Sequence, residues 1–193
     1  MKILLINNIT KHLEELQKIL KPYETITVNF QEIPKNYSDF DCIILSGGSK
    51  YKVKNNEEIY KQEIKLIKNS EIPILGICLG FELICYSYKE KIEMLKEREI
   101  GLRNIEIVKK DSLLEGIEKL RVFEAHRFYV KEVKNLVLLA KSKTGVEIIK
   151  HSEKPVYGVQ FHPEVKLKNI NGFKILTNFL NLCKSGELNS LII

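Results

Sequence analysis

The sequence predicts an α/β fold with a mostly parallel central sheet, helices on both faces and antiparallel additions. In the first half of the chain, short apolar runs alternate with amphipathic helical segments, a pattern typical of parallel sheets. In the second half, extended segments follow one another at short intervals, which indicates antiparallel strands. We expect the 193 residues to form a single domain, residues 1–193.

The first half begins with an apolar strand from Lys2 to Asn7. An amphipathic helix is predicted from His12 to Leu20, with Thr10 as its expected cap. The remaining elements of this half are strands at Thr25 to Phe30, Asp41 to Ser46 and Ile74 to Ile77, and helices at Glu57 to Asn69 and Phe81 to Tyr88.

The second half is richer in strands and ends in a helix. Its predicted strands are Arg103 to Val108, Leu120 to Phe123, Leu136 to Lys141, Val146 to Lys150 and Val156 to Phe161. The last helix runs from about Asn171 to Cys183, and an apolar tail, residues 191–193, follows it.

Composition narrows the function classes. The net charge of +6 comes from scattered lysines without interleaved aromatic residues, which argues against nucleic-acid binding. No apolar stretch approaches the roughly 20 residues that a membrane span needs. The four cysteines show no metal-ligand spacing and no disulfide density, so we expect no metal, no cofactor and a cytoplasmic protein.

Cys78 is the most informative residue. An apolar run leads into Gly76-Ile77-Cys78-Leu79-Gly80, and helix-compatible sequence follows, which is the pattern of a nucleophile elbow. A helix N-terminus lowers the pKa of a thiol placed there and favours the reactive thiolate. A buried structural cysteine beside a strand end is the alternative.

A second motif lies 84 positions downstream, where His162-Pro163-Glu164 directly follows the predicted strand Val156 to Phe161. A histidine fixed at a strand end, with a carboxylate two residues on, can act as a general base and be oriented by that carboxylate. Together with the elbow, this motif predicts a Cys78, His162 and Glu164 triad.

These residues resemble the class I (triad-type) glutamine amidotransferases, whose fold is flavodoxin-like. The resemblance rests on Gly76 to Gly80, on Gly158 to Glu164, and on Ile43 to Gly48, which is similar to the family's oxyanion strand and glycine loop. Within the family, Val165 and the approach Lys154 to Gly158 are most similar to the glutaminase subunits of GMP synthases.

The resemblance implies hydrolysis of glutamine through a Cys78 thioester, with the ammonia supplied to a separate ATP-dependent synthetase subunit. It implies backbone donors at Gly48 and Leu79 for the oxyanion, and substrate contacts at Gly47, Glu82 and His126. An ordinary strand-ending turn at Gly47-Gly48 is the alternative that the residues alone leave open.

Three departures from the family pattern bear on activity. Glu82 stands where most relatives have glutamine, and an ionised Glu82 would repel a substrate α-carboxylate. Ser49-Lys50 replaces a usual proline after the glycines, and Phe128 replaces an acid two residues after His126. His126 shapes the glutamine pocket, senses the partner subunit, or only caps the preceding strand.

Other polar residues receive structural interpretations. His12 and His151 are expected at the surface, and Glu124 and Arg127 are expected to form a salt bridge. Two other functions stay open: a weak or inactive amidotransferase-like regulatory or binding protein, and a hydrolase of another γ-glutamyl compound.

Overall fold

The computed structural model describes residues 1–188 as a nine-stranded sheet with helices on both faces. The predicted apolar tail, residues 191–193, lies outside the described residues. The strands are β1 (Lys2–Asn7), β2 (Glu24–Asn29), β3 (Cys42–Leu45), β4 (Ile74–Ile77), β5 (Ile92–Ile107), β6 (Leu120–Val130), β7 (Val137–Lys141), β8 (Val146–Lys150) and β9 (Val156–Val159). The α-helices are α1 (Leu13–Leu20), α2 (Lys61–Asn69), α3 (Leu79–Ser87) and α4 (Phe173–Ser185), and a short 3₁₀ turn covers Ser112–Leu114.

The sheet has a parallel half and an antiparallel half, in the strand order β2-β1-β3-β4-β9-β8-β7-β5-β6. The pairings β2-β1, β1-β3, β3-β4 and β4-β9 are parallel. The pairings β9-β8, β8-β7, β7-β5 and β5-β6 are antiparallel. This arrangement confirms the predicted fold class.

Helices cover both faces of the sheet and create two apolar layers. On one face α1 and α4 pack against the sheet, through residues such as Leu16 and Phe179. On the other face α2 and α3 do so, through residues such as Leu66 and Phe81. The inner strands β3, β4 and β9 are buried along their whole length, which explains their uninterrupted apolar sequences.

The parallel arrangement decides where chemistry can occur. Strands β1, β3, β4 and β9 all run in the same direction, so their carboxyl ends meet at one edge of the sheet. The polar residues that follow these ends are Asn8, the Ser46-Gly47-Gly48 segment, Cys78 and His162.

The β5-β6 ribbon is much longer than the sequence predicted. We expected strands only at 103–108 and 120–123, whereas β5 has 16 residues and β6 has 11. Most side chains of β5 are exposed or half-buried, and the pairing shifts register between Met94 and Glu99. Without a continuously buried face, the alternation that reveals a strand in the sequence is weak.

The starts of all four described α-helices differ from the predicted positions, and α4 begins at Phe173 instead of about Asn171. Helix α2 begins at Lys61 because residues 57–60 form turns, and α3 begins at Leu79 instead of Phe81. Helix α1 begins at Leu13, and the Thr10 hydroxyl accepts a hydrogen bond from the His12 amide outside the helix. The prediction of Thr10 as the cap was therefore wrong. Within residues 1–188, no helix is both long enough and apolar enough to cross a membrane.

Candidate active site

Cys78 lies at the turn between β4 and α3 in a backbone conformation that few L-residues adopt. Its φ of 49° and ψ of −98° belong to a sparsely populated region, which costs on the order of 1–3 kcal/mol. A Cβ at Gly76 would lie 2.5 Å from the Gly80 carbonyl carbon, and a Cβ at Gly80 would lie 2.5 Å from the Leu45 carbonyl oxygen. Only glycine fits at these two positions, which explains the spacing around Cys78.

His162 follows β9, the strand that pairs with β4. The Cys78 amide donates a hydrogen bond to the Val159 carbonyl (2.8 Å), and the His162 amide donates to the Phe123 carbonyl (3.0 Å). The His162 Nδ1 atom lies 2.8 Å from Glu164 Oε1, and both side chains are buried. A carboxylate only accepts hydrogen bonds, so this contact places the proton on Nδ1 and leaves Nε2 for proton transfer.

The side chains of Cys78 and His162 meet beside Gly47. A Cβ at Gly47 would lie 3.0 Å from His162 Cε1 and 3.5 Å from Cys78 Cβ. An alanine here would therefore crowd the His162 ring and make ordinary contact with Cys78. The structure thus brings Cys78, His162 and Glu164 together next to the glycine loop.

Burial controls the charge of this pair. It raises the pKa of the Cys78 thiol, and His162 counteracts this only in part. Burial also lowers the pKa of His162, but Cys78 and Glu164 outweigh it and raise that pKa to about 10. The sequence predicted a thiol pKa lowered by the helix N-terminus. Desolvation outweighs that effect, so the thiolate depends on His162 as its neighbouring proton acceptor.

A buried polar network, which sequence reasoning missed, holds the glycine loop. The Asn8 amide donates to Ser46 Oγ (2.8 Å). The Asn8 side chain donates to the Ser46 carbonyl and to Glu63 Oε1, both at 3.1 Å. Burial raises the pKa of Glu63 to about 8, although the hydrogen bond from Asn8 opposes the shift.

Two backbone amides beside Cys78 are available to a ligand. Within residues 1–188, the amides of Gly48 and Leu79 donate no hydrogen bond, and both residues line the cavity next to the thiol. A Cβ at Gly48 would lie 2.2 Å from the Asn8 carbonyl oxygen, so the loop approaches β1 too closely for any other residue.

The cavity beside Cys78 has a volume of about 560 Å³ and a basic lining. Lys50, Lys52, Arg98 and Arg127 contribute to it, and among its lining residues only Glu82 is acidic. The Ser49-Lys50 departure from the family pattern therefore adds a cation at this cavity.

Glu82 is buried in the wall of the cavity, with only 4% of its surface exposed. Burial raises its pKa to about 8, while His126 and Gln160 act in the opposite direction. At pH 7 the carboxyl group is therefore mostly protonated, contrary to the ionised Glu82 considered from the sequence. A protonated carboxyl group offers one donor and one acceptor, as the carboxamide of glutamine also does.

His126 lies within β6 and lines the cavity, so the interpretation of His126 as a strand cap was wrong. Its Nδ1 atom is 2.8 Å from the Phe128 carbonyl, and its Nε2 atom is 3.2 Å from Glu124 Oε2. The predicted salt bridge between Glu124 and Arg127 was also wrong for the described residues. Residues three apart on a strand point to opposite faces, so Glu124 is buried while Arg127 reaches the cavity.

His12 was expected at the surface, but its ring packs against His162. The two ring centroids are 4.9 Å apart, and the His12 side chain is 26% exposed. Its position just after the carboxyl end of β1, at the same edge as Cys78, is the signal that could have revealed it. His151 instead accepts hydrogen bonds from the amides of Glu153 and Lys154 in a turn away from the triad.

A family model, glutamine amidotransferase class-I, matches residues 4–182 of the chain. The chain belongs to this family. Its α/β sheet and the glycine-flanked Cys78 fit the match, which covers every described strand from β2 to β9.

Individual relatives point in the same direction. The chain is 43% identical over 152 residues to a subunit of glutamine-hydrolyzing GMP synthase from Pyrococcus abyssi, covering 76% of each chain. It is 37% identical over 194 residues to the protein of that name from Methanobrevibacter smithii, covering 95% of this chain and 97% of the relative. A crystal structure of a candidate GMP synthase subunit from Thermoplasma acidophilum superposes with a TM-score of 0.86 at 25% identity, covering 97% of this chain and 96% of the other.

Proposed function

We propose that the chain hydrolyses the side-chain amide of glutamine and supplies the ammonia to a separate ATP-dependent synthetase subunit, like the glutaminase part of a two-subunit GMP synthase. The observation that carries this proposal is the convergence of Cys78, at its strained elbow, with the buried His162-Glu164 pair. Family membership and the names of the relatives support glutamine as the substrate.

In the first half-reaction, His162 takes the thiol proton and the Cys78 sulfur attacks the carboxamide carbon. A carbon–sulfur bond forms, and the carbonyl electrons move onto the oxygen. His162 then gives its proton to the leaving nitrogen, the carbon–nitrogen bond breaks, and ammonia departs from a γ-glutamyl thioester. Glu164 holds the imidazole in the required tautomer and stabilises its positive charge.

The negative oxygen of this intermediate requires donors that are in place before the reaction. The amides of Gly48 and Leu79 serve as these donors, because both are unengaged and both line the cavity at Cys78. Removing one such donor typically costs about 3 kcal/mol of transition-state stabilisation. The buried network of Asn8, Ser46 and Glu63 keeps the Gly48 amide at its position.

In the second half-reaction, His162 removes a proton from a water molecule that attacks the thioester carbon. The carbon–sulfur bond breaks, glutamate is released, and the electrons return to the Cys78 sulfur. His162 then returns this proton to the Cys78 sulfur, so it acts as base, acid, base and acid again without a net change.

The remaining cavity residues hold the amino-acid end of glutamine. The basic lining attracts the α-carboxylate, and the small Gly47 leaves room for the reacting carboxamide beside Cys78. Glu82, in its protonated form, takes the hydrogen-bonding role of the glutamine found in relatives, and His126 forms the adjacent wall.

A second candidate function is hydrolysis of a different γ-glutamyl compound. The volume of the cavity, about 560 Å³, and its basic lining favour this alternative, because they can accept a larger anionic substrate. The same triad would carry out the reaction, so the choice between the two functions depends on substrate alone.

The experiment measures ammonia and glutamate released from glutamine by the purified chain, with a Cys78→Ala variant as the control. Release that disappears in Cys78→Ala supports the proposal. If the chain alone releases no ammonia or glutamate, a GMP-synthase-type synthetase subunit is added with ATP and XMP. Release only with that partner supports a partner-dependent glutaminase. No hydrolysis of glutamine with or without the partner, together with cleavage of other γ-glutamyl compounds, would favour the second candidate. No hydrolysis of glutamine or of any other γ-glutamyl compound would favour a regulatory or binding protein.

A further inference from the structure

Three ionisable side chains meet in the protein interior behind the wall of the cavity. Glu124 and His126 belong to β6, and Glu147 belongs to β8. All three are buried, with at most 3% of their surface exposed. The triad does not use any of them.

The fold brings β6 and β8 together at this point through backbone hydrogen bonds to the end of β9. The His162 amide donates to the Phe123 carbonyl (3.0 Å), and the Gln160 amide donates to the Glu147 carbonyl (2.9 Å). Two strands that are three places apart in the sheet order are thus anchored to one segment. The positions of the three side chains follow from this backbone framework.

Four polar atoms of this cluster have no hydrogen-bond partner within residues 1–188. They are both carboxylate oxygens of Glu124, the Oε2 atom of Glu147 and the Nε2 atom of His126. Native proteins satisfy nearly all buried polar atoms, so a group of four requires an explanation. The Nε2 atom is 3.2 Å from Glu124 Oε2 without forming a hydrogen bond, and Glu124 and Glu147 lie close enough to share a proton if one of them is protonated.

The state of His126 is fixed by its other ring nitrogen. The Nδ1 atom lies 2.8 Å from the Phe128 carbonyl, which can only accept a hydrogen bond, so Nδ1 carries the proton. In the neutral ring, Nε2 then presents a lone pair toward the two carboxyl groups. A histidine that donates to a backbone carbonyl through one nitrogen and offers the other is the usual arrangement of a metal ligand.

Within residues 1–188, His126 is the only basic side chain at ion-pair distance from Glu124 or Glu147, while Arg103 favours the charged form of Glu124 from farther away. The nearby Glu99 adds a third acid, since its Oε2 is 3.9 Å from His126 Nε2, but Thr144 and Arg103 already bind Glu99. Burying carboxylates without compensation is costly, so the cluster requires either protons or a cation.

We propose that Glu124, His126 and Glu147 form a binding site for a divalent first-row metal ion of the Zn²⁺ or Mn²⁺ type. Their donor atoms all lie within 4.8 Å of one another. Two ligands of one tetrahedral Zn²⁺ are roughly 3.3–3.6 Å apart, so binding requires the carboxylate side chains to rotate toward the ion. A donor set of one imidazole and two carboxylates suits these ions and excludes soft metals that require thiolates.

Sequence reasoning did not predict this site, because cysteine spacing was the only metal signal considered. Glu147 lies 21 residues after His126, and only the folded β6 and β8 bring the two together. Since His126 also lines the cavity, the ion holds one wall of that cavity in place. Its role is positioning, because the cluster does not contact the reacting thiol.

The test uses full-length Cys78→Ala protein that has been stripped with EDTA, so that no ion binds at the thiol. MnCl₂ and ZnCl₂ are titrated by calorimetry, and the Co²⁺ form is examined by absorption spectroscopy for oxygen and nitrogen ligation. We expect one equivalent to bind. At a hundredfold excess over Kd, the Tm should rise by roughly 5–10 °C.

The same measurements on Glu124→Gln and Glu147→Gln variants should show loss of binding and of the Tm shift. Glu106→Gln, the same change at an exposed glutamate on β5, should behave like the parent protein. Melting of each variant in EDTA shows that it is folded, which is expected because glutamine preserves the volume of glutamate. No binding to the parent, or equal binding to Glu147→Gln, would overturn the proposal; the cluster would then hold protons instead.

Discussion

Replacement of Glu82 by glutamine should change the pH dependence of glutamine hydrolysis. Glu82 lies in the wall of the cavity, and burial raises its pKa to about 8. Below that pH the neutral carboxyl group can donate a hydrogen bond as a carboxamide does. Above it the charged group loses the donor and repels the substrate α-carboxylate. Glutamine at this position has no proton to lose, so Glu82→Gln should stay active at alkaline pH.

The size of the effect follows from the fraction of protonated Glu82. With a pKa of about 8, roughly nine in ten molecules are protonated at pH 7 and roughly one in ten at pH 9. If only the protonated form binds glutamine, the ratio of kcat/KM between Glu82→Gln and wild type should rise about tenfold over these two pH units. Most of the change should come from KM, because we propose that Glu82 contacts the amino-acid end of the substrate.

The assay measures glutamate release between pH 6 and 10 for both proteins, with EDTA present so that the Glu124, His126 and Glu147 cluster is free of cations. Titration of His162 affects both proteins, but an ionised Glu82 also raises the pKa of the Cys78 thiol, so the ratio includes the effect of the substitution on that thiol. Glu106→Gln serves as the matched control and should give a constant ratio. The groups that influence the Glu82 charge or share its cavity are Cys78, Cys85, Tyr60, His126, Lys50, Lys52, Arg98 and Arg127.

A ratio that stays constant from pH 7 to 9 would refute the reasoning. It would mean either that Glu82 is already ionised at pH 7 or that its protonation does not affect substrate binding. A ratio that falls with pH would show that the charged form binds the substrate better, for example through its α-ammonium group. Either result would favour the alternative γ-glutamyl substrates over glutamine.

Three further predictions concern the glycine loop and its surroundings. Burial raises the pKa of Glu63 from 4.5 to about 8. Between these two pH values the folded protein keeps a proton that the unfolded chain loses. The free energy of unfolding should therefore fall by about 1.4 kcal/mol for each pH unit in this range. Glu63→Gln should remove this contribution to the pH dependence of the free energy of unfolding, as measured by urea unfolding at pH 6 and pH 8. An unchanged pH dependence would show that Glu63 is ionised. Gly48→Ala should reduce kcat at least about tenfold and lower the free energy of unfolding by about 1–3 kcal/mol. The reason is that the added Cβ would lie 2.2 Å from the Asn8 carbonyl oxygen. Wild-type activity of this variant would contradict the oxyanion role. Ile9→Asn should raise Tm by about 2–4 °C. Ile9 is 38% exposed and has a φ of 61°, which asparagine tolerates better than isoleucine. A lower Tm would show that the packing of Ile9 outweighs the backbone strain.

Local sequence patterns were sufficient to predict the parallel half of the fold. Strands such as Ile74–Ile77 are buried on both faces, so they are uninterrupted apolar runs and their ends are sharp. The sequence also predicted the elbow at Cys78. The contacts of Gly76 and Gly80 leave no room for a side chain, so these positions require glycine and are recognisable in the sequence. Strong steric demands on few residues leave a clear signal in a single sequence.

The elements that the sequence did not reveal depend on contacts between distant residues. Asn8 and Glu63 are 55 positions apart, and nothing near either one indicates that they share a hydrogen bond. The same holds for the ring of His12 against His162, and for Glu147 beside Glu124 on another strand. His12 was expected at the surface, and residue type alone did not indicate that Asn8, Glu63 and Glu147 are buried.

The buried acids also determine where on the pH scale this protein should work best. The sequence pI of about 9.0 reflects the excess of lysine and arginine over acidic residues. Stability depends instead on groups whose pKa differs between folded and unfolded states. Burial raises the pKa of both Glu63 and Glu82 from 4.5 to about 8, so the unfolded chain loses these protons at lower pH than the folded protein, and stability declines as pH rises between these two values. Because one supports the Gly48 loop and the other lines the cavity beside Cys78, activity should decline as pH rises through about 8, where the folded protein loses both protons. Maximum function is therefore expected well below the pI, at a pH where both carboxyl groups are still protonated.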